Sequence, residues 1–299
     1  MEISIVTPVF NSVRWMDLCV RSVRHSLQGR TYEHIVCDGG STDGTLEYLQ
    51  QQKDIRLILG PDRGMYDALN KGMAAARGRI LGHLNADEQY DRAGLAHALQ
   101  KLEQTGADAV FGPTIMLDGQ LNFLYLFNQI TIPRPIDADW HMPVQSCSLL
   151  YRRRIWERCP YPSEYRVVGD HVWFRRQMKL GLKLVSVRKP IGIFTWHEDD
   201  IAKRLGPHGE NALADVSRKS FRMRLAKLWF RFRHLLEGGV SRPERIMFQV
   251  MDQDPPILSR SVCLPVLGLR RVPKVGTGGT ENLHGPKSLV AKSCNSRVG

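Results

Sequence analysis

The chain has 299 residues, and its 42% hydrophobic and 24% charged composition excludes a disordered or fibrous protein while allowing one substantial core plus an appendage. Its formal charge of +12 is uneven: 24 basic residues face 23 acidic ones through position 200, and 18 face 7 afterwards. The basic excess therefore belongs to the C-terminal third, which argues against a nucleic-acid-binding core, and no apolar run reaches the length of a membrane-spanning helix.

In chain order, strand patterns at residues 3–9, 32–37, 55–59 and 79–84 alternate with helical patterns at 13–28, from Thr45, and at 66–76. A helix around 93–104 and a strand at 109–111 continue the series. Such alternation implies βαβ units and an α/β fold with a mostly parallel sheet flanked by helices. Residues 122–142 lose periodicity, with Pro133 and Pro135 marking a loop. A strand-like run at 146–151 leads into a short helix, and 170–180 reads as a further helix ended by Gly181. From Arg218 to Arg233 there are seven Lys or Arg and no carboxylate, while Phe221, Leu225, Leu228, Phe232 and Leu235 recur at helical spacing. The expected organisation is a catalytic domain over 1–206, a basic amphipathic helical extension over 207–250 and a flexible tail over 251–299. The six cysteines form no CxxC pair, no leader-like segment precedes Ile3, and a reduced, cytoplasmic setting is expected.

Chemistry-bearing residues gather at the ends of the predicted strands. Asp38-Gly39-Gly40-Ser41-Thr42-Asp43-Gly44-Thr45 stops a strand and opens a helix, at the edge where open α/β sheets bind ligands. Thr7-Pro8-Val9-Phe10-Asn11, Asp62-Arg63-Gly64-Met65-Tyr66-Asp67-Ala68-Leu69-Asn70-Lys71-Gly72 and Leu84-Asn85-Ala86-Asp87-Glu88 occupy equivalent places. In this order and spacing the first 200 residues or so resemble the family 2 glycosyltransferases of the GT-A fold, of the kind found in bacterial surface-polysaccharide synthesis.

The resemblance implies an inverting transfer of sugar from a nucleotide-diphosphate donor to a glycan or lipid-linked acceptor, in capsule, exopolysaccharide or lipopolysaccharide synthesis. It assigns Thr7, Pro8, Phe10 and Asp38 to the nucleoside, where a ring stacks on a base and a carboxylate accepts from ring N–H or ribose hydroxyl. It assigns Asp62, Arg63 and Asn85 to the rest of the donor, with Asp67 or Asn70 as further sugar contacts. Asn85-Ala86-Asp87 stands in the place of the family's DXD motif, which makes Asp87 the metal ligand for Mn²⁺ or Mg²⁺ and leaves Asn85 a weaker, neutral group. Glu88 either assists there or faces solvent. Gly169-Asp170-His171-Val172-Trp173-Phe174-Arg175 is similar to the helix start that carries the family's base, so Asp170 is the expected catalytic residue. His141, Gln145 and His171 are the expected acceptor contacts, and His197 reads either as a surface-loop histidine or, as the resemblance allows, as a late histidine recruited to the metal. The basic stretch 218–236 either meets the cytoplasmic face of an inner membrane or packs on the core. Two other functions fit parts of the pattern: a catalytically silent nucleotide-sugar or glycan-binding module, suggested by Asn85, and a sugar-1-phosphate nucleotidyltransferase, whose glycine-rich signature Thr7 to Asn11 lacks.

Overall fold

The computed structural model describes residues 1–198, 221–237, 245–252 and 257–263. The strands and helices of the first half fall where hydrophobic periodicity puts them: β1 (Ile3–Val9), α1 (Val13–Ser26), β2 (Tyr32–Asp38), α2 (Thr45–Gln50), β3 (Ile55–Leu59), α3 (Met65–Ala75) and β4 (Ile80–His83). Then follow β5 (Glu88–Tyr90), α4 (Arg92–Thr105), β6 (Ala109–Phe111), β7 (Thr114–Asp118), β8 (Phe123–Phe127), β9 (Leu149–Arg152), α5 (Arg153–Arg158), α6 (Gly169–Lys179), β10 (Leu184–Ser186) and β11 (Gly192–Trp196). The basic stretch forms α7 (Phe221–Leu236), and β12 (Arg245–Met251) pairs antiparallel with β13 (Ile257–Cys263).

Seven strands form the main sheet in the order β10-β6-β9-β4-β1-β2-β3. The chain runs outward from β1 through β2 to β3, then returns to place β4 on the other side of β1. This is the topological switch point at which such sheets open a ligand crevice. All pairings are parallel except those of β9, which runs antiparallel to both β4 and β6. Period-two alternation in β1 divides the core: Ile3, Ile5 and Val9 pack with Met16, Val20 and Val23 of α1 and Leu95 and Leu99 of α4. Val6, with Ile35 and Cys37, meets Tyr66, Leu69 and Met73 of α3 and Trp173 and Phe174 of α6.

Two expectations are corrected. Residues 122–142 contain β8, which with β7, β11 and β5 builds a second, four-stranded sheet. Residues 257–263, assigned to a tail by sequence, form β13; Ile246, Phe248, Val250 and Met251 of its partner β12 join Trp15, Leu18 and Ile115 in a third hydrophobic cluster. The tail from 264 onward and residues 199–220 lie outside the described residues.

Candidate active site

The β1–α1 and β2–α2 loops are laced together at the carboxyl edge of the sheet. Asn11 takes a left-handed backbone (φ 49°), a conformation that Asn tolerates better than most residues. Its amide N–H donates to Ser41 Oγ at 2.9 Å, and its Oδ1 accepts from the Thr42 N–H at 2.8 Å. Asp43 accepts from Val13 N and Thr45 N at 3.1 and 3.0 Å, so a single carboxylate serves the first turns of two helices. This lacing leaves Phe10 63% exposed on the rim, where a planar ligand can reach its ring.

The other nucleoside residues behave differently from their assignments. Thr7 faces α1, is fully buried, and places Oγ1 2.9 Å from His34 Nε2; it supports the site from beneath and does not open onto the edge. Pro8 is likewise buried. Asp38 is 2% exposed, and its Oδ1 accepts from the backbone N–H of Ser41 at 3.1 Å. Asp62 accepts from Gly64 N at 2.8 Å and extends over Gly39. A Cβ on Gly39 would lie 2.5 Å from Asp62 Oδ2.

Arg63 is exposed and reaches Asp67 Oδ1 at 3.0 Å and Ser163 Oγ at 3.3 Å, linking the start of α3 to the segment before α6. Asp67 also holds Lys71 at 3.2 Å, and the Arg63 side chain is the leading cause that depresses its carboxyl. Asn70 does not face the donor: it binds the Tyr161 backbone N–H and C=O at 3.0 and 2.7 Å and Trp156 Nε1 at 2.9 Å. These bonds fasten α3 to the chain after α5.

Beyond β4, Asn85 Oδ1 lies 2.8 Å from His83 Nε2, while Asn85 N donates to Glu88 Oε2 at 2.7 Å. Glu88 is 1% exposed; burial first, and the charge of Asp87 second, push its carboxyl well above the usual range. It braces the turn and does not face solvent, and its Oε1 has no partner among the described residues. Asp87 is the partly accessible carboxylate of the trio, and its Oδ2 stands 2.8 Å from Nε2 of His197. The imidazole also stacks on Trp15, with ring centroids 5.0 Å apart. The sequence left His197 between a surface-loop histidine and a recruit to the metal, because a lone histidine carries no ligand spacing.

Asp170 sits in the first turn of α6. Its Oδ1 accepts from its neighbour's backbone, His171 N, at 2.8 Å and lies 3.1 Å from the Tyr66 hydroxyl, and Oδ2 has no hydrogen-bond partner among the described residues. Asp87 and Asp170 both act electrostatically on His83 and Glu88. On the acceptor side, His171 is buried with Nε2 2.7 Å from the Ala138 carbonyl, and His141 Nδ1 lies 3.0 Å from the Asp137 carbonyl. Burial lowers both imidazoles, His141 to about 4. Both histidines therefore organise the 134–142 segment, which Arg175 also grips through Asp139 at 2.5 Å. Gln145 is half-buried, and its carbonyl accepts from Ser148 N at 3.0 Å.

Among the described residues, no group of three His, Cys, Asp or Glu is arranged to hold a metal. Asp87 and His197 fit as a pair: ligands held at about 2.1 Å at right angles around a hard divalent cation stand about 3 Å apart, close to their separation. Asn85 does not join them, because its amide oxygen is taken by His83.

The chain is 30% identical over 177 residues to the PGL/p-HBAD biosynthesis glycosyltransferase of Mycobacterium bovis (strain BCG / Pasteur 1173P2), covering 56% of this chain and 66% of the relative. It is 26% identical over 207 residues to glycosyltransferase AglE of Haloferax volcanii, covering 64% and 66%. The chain thus spans slightly under two thirds of these relatives' length. The crystal structure of S. aureus TarS 1-349 in complex with UDP-GlcNAc superposes with a TM-score of 0.58 at 14% identity, over 82% of this chain and 76% of that one, which shows the GT-A fold. The model of the family described as Glycosyl transferase family 2 matches residues 4–177, spanning the laced loops, the Asp87 turn and Asp170; the chain belongs to glycosyl transferase family 2.

Proposed function

We propose that the chain is an inverting glycosyltransferase that moves a sugar from a nucleoside-diphosphate donor to a hydroxyl of a glycan or lipid-linked acceptor, in the assembly of a bacterial surface polysaccharide. The observation that carries this reading is Asp170, anchored through Oδ1 by Tyr66 and His171 N, with no partner at Oδ2 among the described residues.

In this reading the acceptor oxygen attacks the anomeric carbon from the face opposite the diphosphate. As the new C–O bond forms, Asp170 Oδ2 takes the acceptor proton, and the bonding pair to the old oxygen leaves with the nucleoside diphosphate. Phe10 offers its ring to the base, Asp62 offers acceptor oxygens beside Gly39, and Arg63 stands within reach of a phosphate on swinging from Asp67. Asp87 and His197 would hold the divalent cation, Mn²⁺ or Mg²⁺. When bound, the cation supplies positive charge to the departing diphosphate. The TarS complexes with UDP and UDP-GlcNAc support the donor class. A working place at the cytoplasmic face of the membrane suits a lipid-linked acceptor, and among the described residues no helix is long and apolar enough to cross one.

Thermal-shift measurements against UDP-, GDP- and dTDP-sugars, with and without Mn²⁺, test the proposal. A metal-dependent shift with one nucleotide class, followed by turnover that D170N abolishes, is the expected result. Binding without turnover in the wild type would instead identify a silent nucleotide-sugar module, and no shift with any donor would overturn both readings.

A further inference from the structure

The helix α7 has two apolar faces, and among the described residues only one is covered. Met223, Ala226 and Phe230 are buried. Phe230 meets Trp140 and His141 edge-on at centroid distances of 5.9 and 5.2 Å, and His234 Nδ1 lies 3.1 Å from Thr131 Oγ1. Arg233 donates to the Ile132 carbonyl, and Lys227 stands over the Trp140 ring. The inner face is therefore fastened to the segment that also carries Ala138 and Asp139, the partners of His171 and Arg175 in α6.

The outer face carries Leu225, Leu228, Trp229, Phe232, Leu235 and Leu236, between 48% and 71% exposed. At about 100° per residue these six fall on one stripe, and the exposed arginines Arg222, Arg224 and Arg231 fall along its two margins. No carboxylate occurs within the helix, whose sequence is FRMRLAKLWFRFRHLL. A solvated helix shows charge on its free side; a free side built from leucine and aromatic rings, edged by guanidinium groups, matches the boundary between acyl chains and anionic headgroups.

We infer that the outer face of α7 docks the protein on an anionic lipid surface, while the inner face ties that surface to the acceptor-side segment 131–141. The occupant is a bilayer and not a protein groove because the cations border the apolar stripe on both sides, as a charged plane requires. The inference rests on the glycosyltransferase reading only for its consequence, that the acceptor is lipid-carried; docking itself stands on the helix.

The test is co-sedimentation of the full chain with vesicles of phosphatidylcholine alone or with about 30% phosphatidylglycerol, at low and high salt. Binding to the anionic vesicles at least about tenfold tighter than to neutral ones, weakened by salt, is expected. The L228E/W229E/F232E variant should lose it, and R224E/R231E should lose the preference for anionic lipid. These positions are exposed, and a nucleotide-induced thermal shift equal to that of wild type verifies each variant's fold. Wild-type protein that stays in solution with both vesicles overturns the inference. So does a wild-type dimer that becomes monomeric in L228E/W229E/F232E without vesicle binding, since the occupant is then a second copy. Vesicle binding without any nucleotide-sugar binding upholds the docking face and removes the glycosyltransferase reading instead.

Discussion

The hydroxyl of Tyr66, in the first turn of α3, lies 3.1 Å from Oδ1 of Asp170, 104 residues later in the first turn of α6. It stands 2.9 Å from the Val167 carbonyl as well, so one phenol proton bridges the carboxylate and the loop that leads into its helix. Gly169 makes the approach possible, because a Cβ there would meet the Tyr66 ring at 2.5 Å. Tyr66 is thus a positioning residue for the proposed base. The Y66F variant keeps the buried ring and is expected to bind donor normally while losing about tenfold to a hundredfold in kcat. D170N should lose more, about 10²- to 10⁴-fold, again with donor binding intact. Steady-state transfer rates set beside nucleotide titration calorimetry separate the two effects. A donor affinity that falls in step with kcat in Y66F would mean that the tyrosine serves the donor pocket instead.

A second pairing concerns the metal. Calorimetry of Mn²⁺ in the presence of nucleoside diphosphate should show H197A weakened by about tenfold to a hundredfold and D87A by more, because the histidine both touches Asp87 and fixes its orientation. The Trp15 stack keeps the imidazole in place, so W15A should show a smaller loss of the same kind. Unchanged Mn²⁺ affinity in H197A would leave the histidine as a simple hydrogen-bond partner of Asp87.

The strand ends were legible in the sequence because each combines an apolar run with its own terminating loop, as in Tyr32–Asp38 followed by two glycines. The direction of β9 was not legible: Leu149–Arg152 is buried on both sheet faces, and such a run reads alike in either orientation. The β12 strand did carry a signal, since Ile246, Phe248 and Val250 alternate with other residues, but its position after a basic helix disguised it. What periodicity cannot reveal is which carboxylate the fold occupies. Asp38 and Asp62 look equally available in sequence, yet Ser41 takes up the first while the second leans over Gly39. The His197 pairing joins residues 110 apart, so local spacing alone could not decide between a surface histidine and a metal recruit.

Two glycines with similar crowding should respond differently to alanine. At Gly72, a Cβ would overlap Val6 Cγ1 and lie 2.8 Å from Cys37 Sγ, where α3 rests on the sheet. Neither neighbour has room to withdraw in a packed core, so G72A should cost about 1–3 kcal/mol, read from urea unfolding. At Gly39 the obstructing atom is Oδ2 at the end of the Asp62 side chain, which can rotate away at the cost of one hydrogen bond, that to Gly64 N. Stability in G39A should therefore change little, while donor affinity falls about tenfold as Asp62 is displaced. The reverse pattern would show that Asp62 takes no part in donor recognition.

Acid sensitivity should come partly from His34. The imidazole is buried beneath the donor edge, with Nε2 2.9 Å from Thr7 Oγ1 and Nδ1 without a partner among the described residues. Burial pushes its pKa down to about 4, and the nearby charge of Asp54 offsets only part of that. In the unfolded chain the same group titrates near 6.5. Between these values the unfolded state binds a proton that the folded state refuses, so the contribution is fully present above pH 6.5 and is lost as pH falls toward 4. At about 1.4 kcal/mol per pH unit, the loss amounts to about 3 kcal/mol over the window. Replacing His34 with glutamine keeps a partner for Thr7 and removes the titration. Urea unfolding at pH 7, 6 and 5 should then show H34Q losing stability with a shallower slope than wild type, whatever its stability at pH 7. His141, lowered to about 4 by its own burial, and the likewise lowered His83 and His171 stay in both proteins and contribute to the slope that remains. An unchanged slope in H34Q would mean that the folded site accepts the proton, and Thr7 would then be accepting a hydrogen bond from an imidazolium.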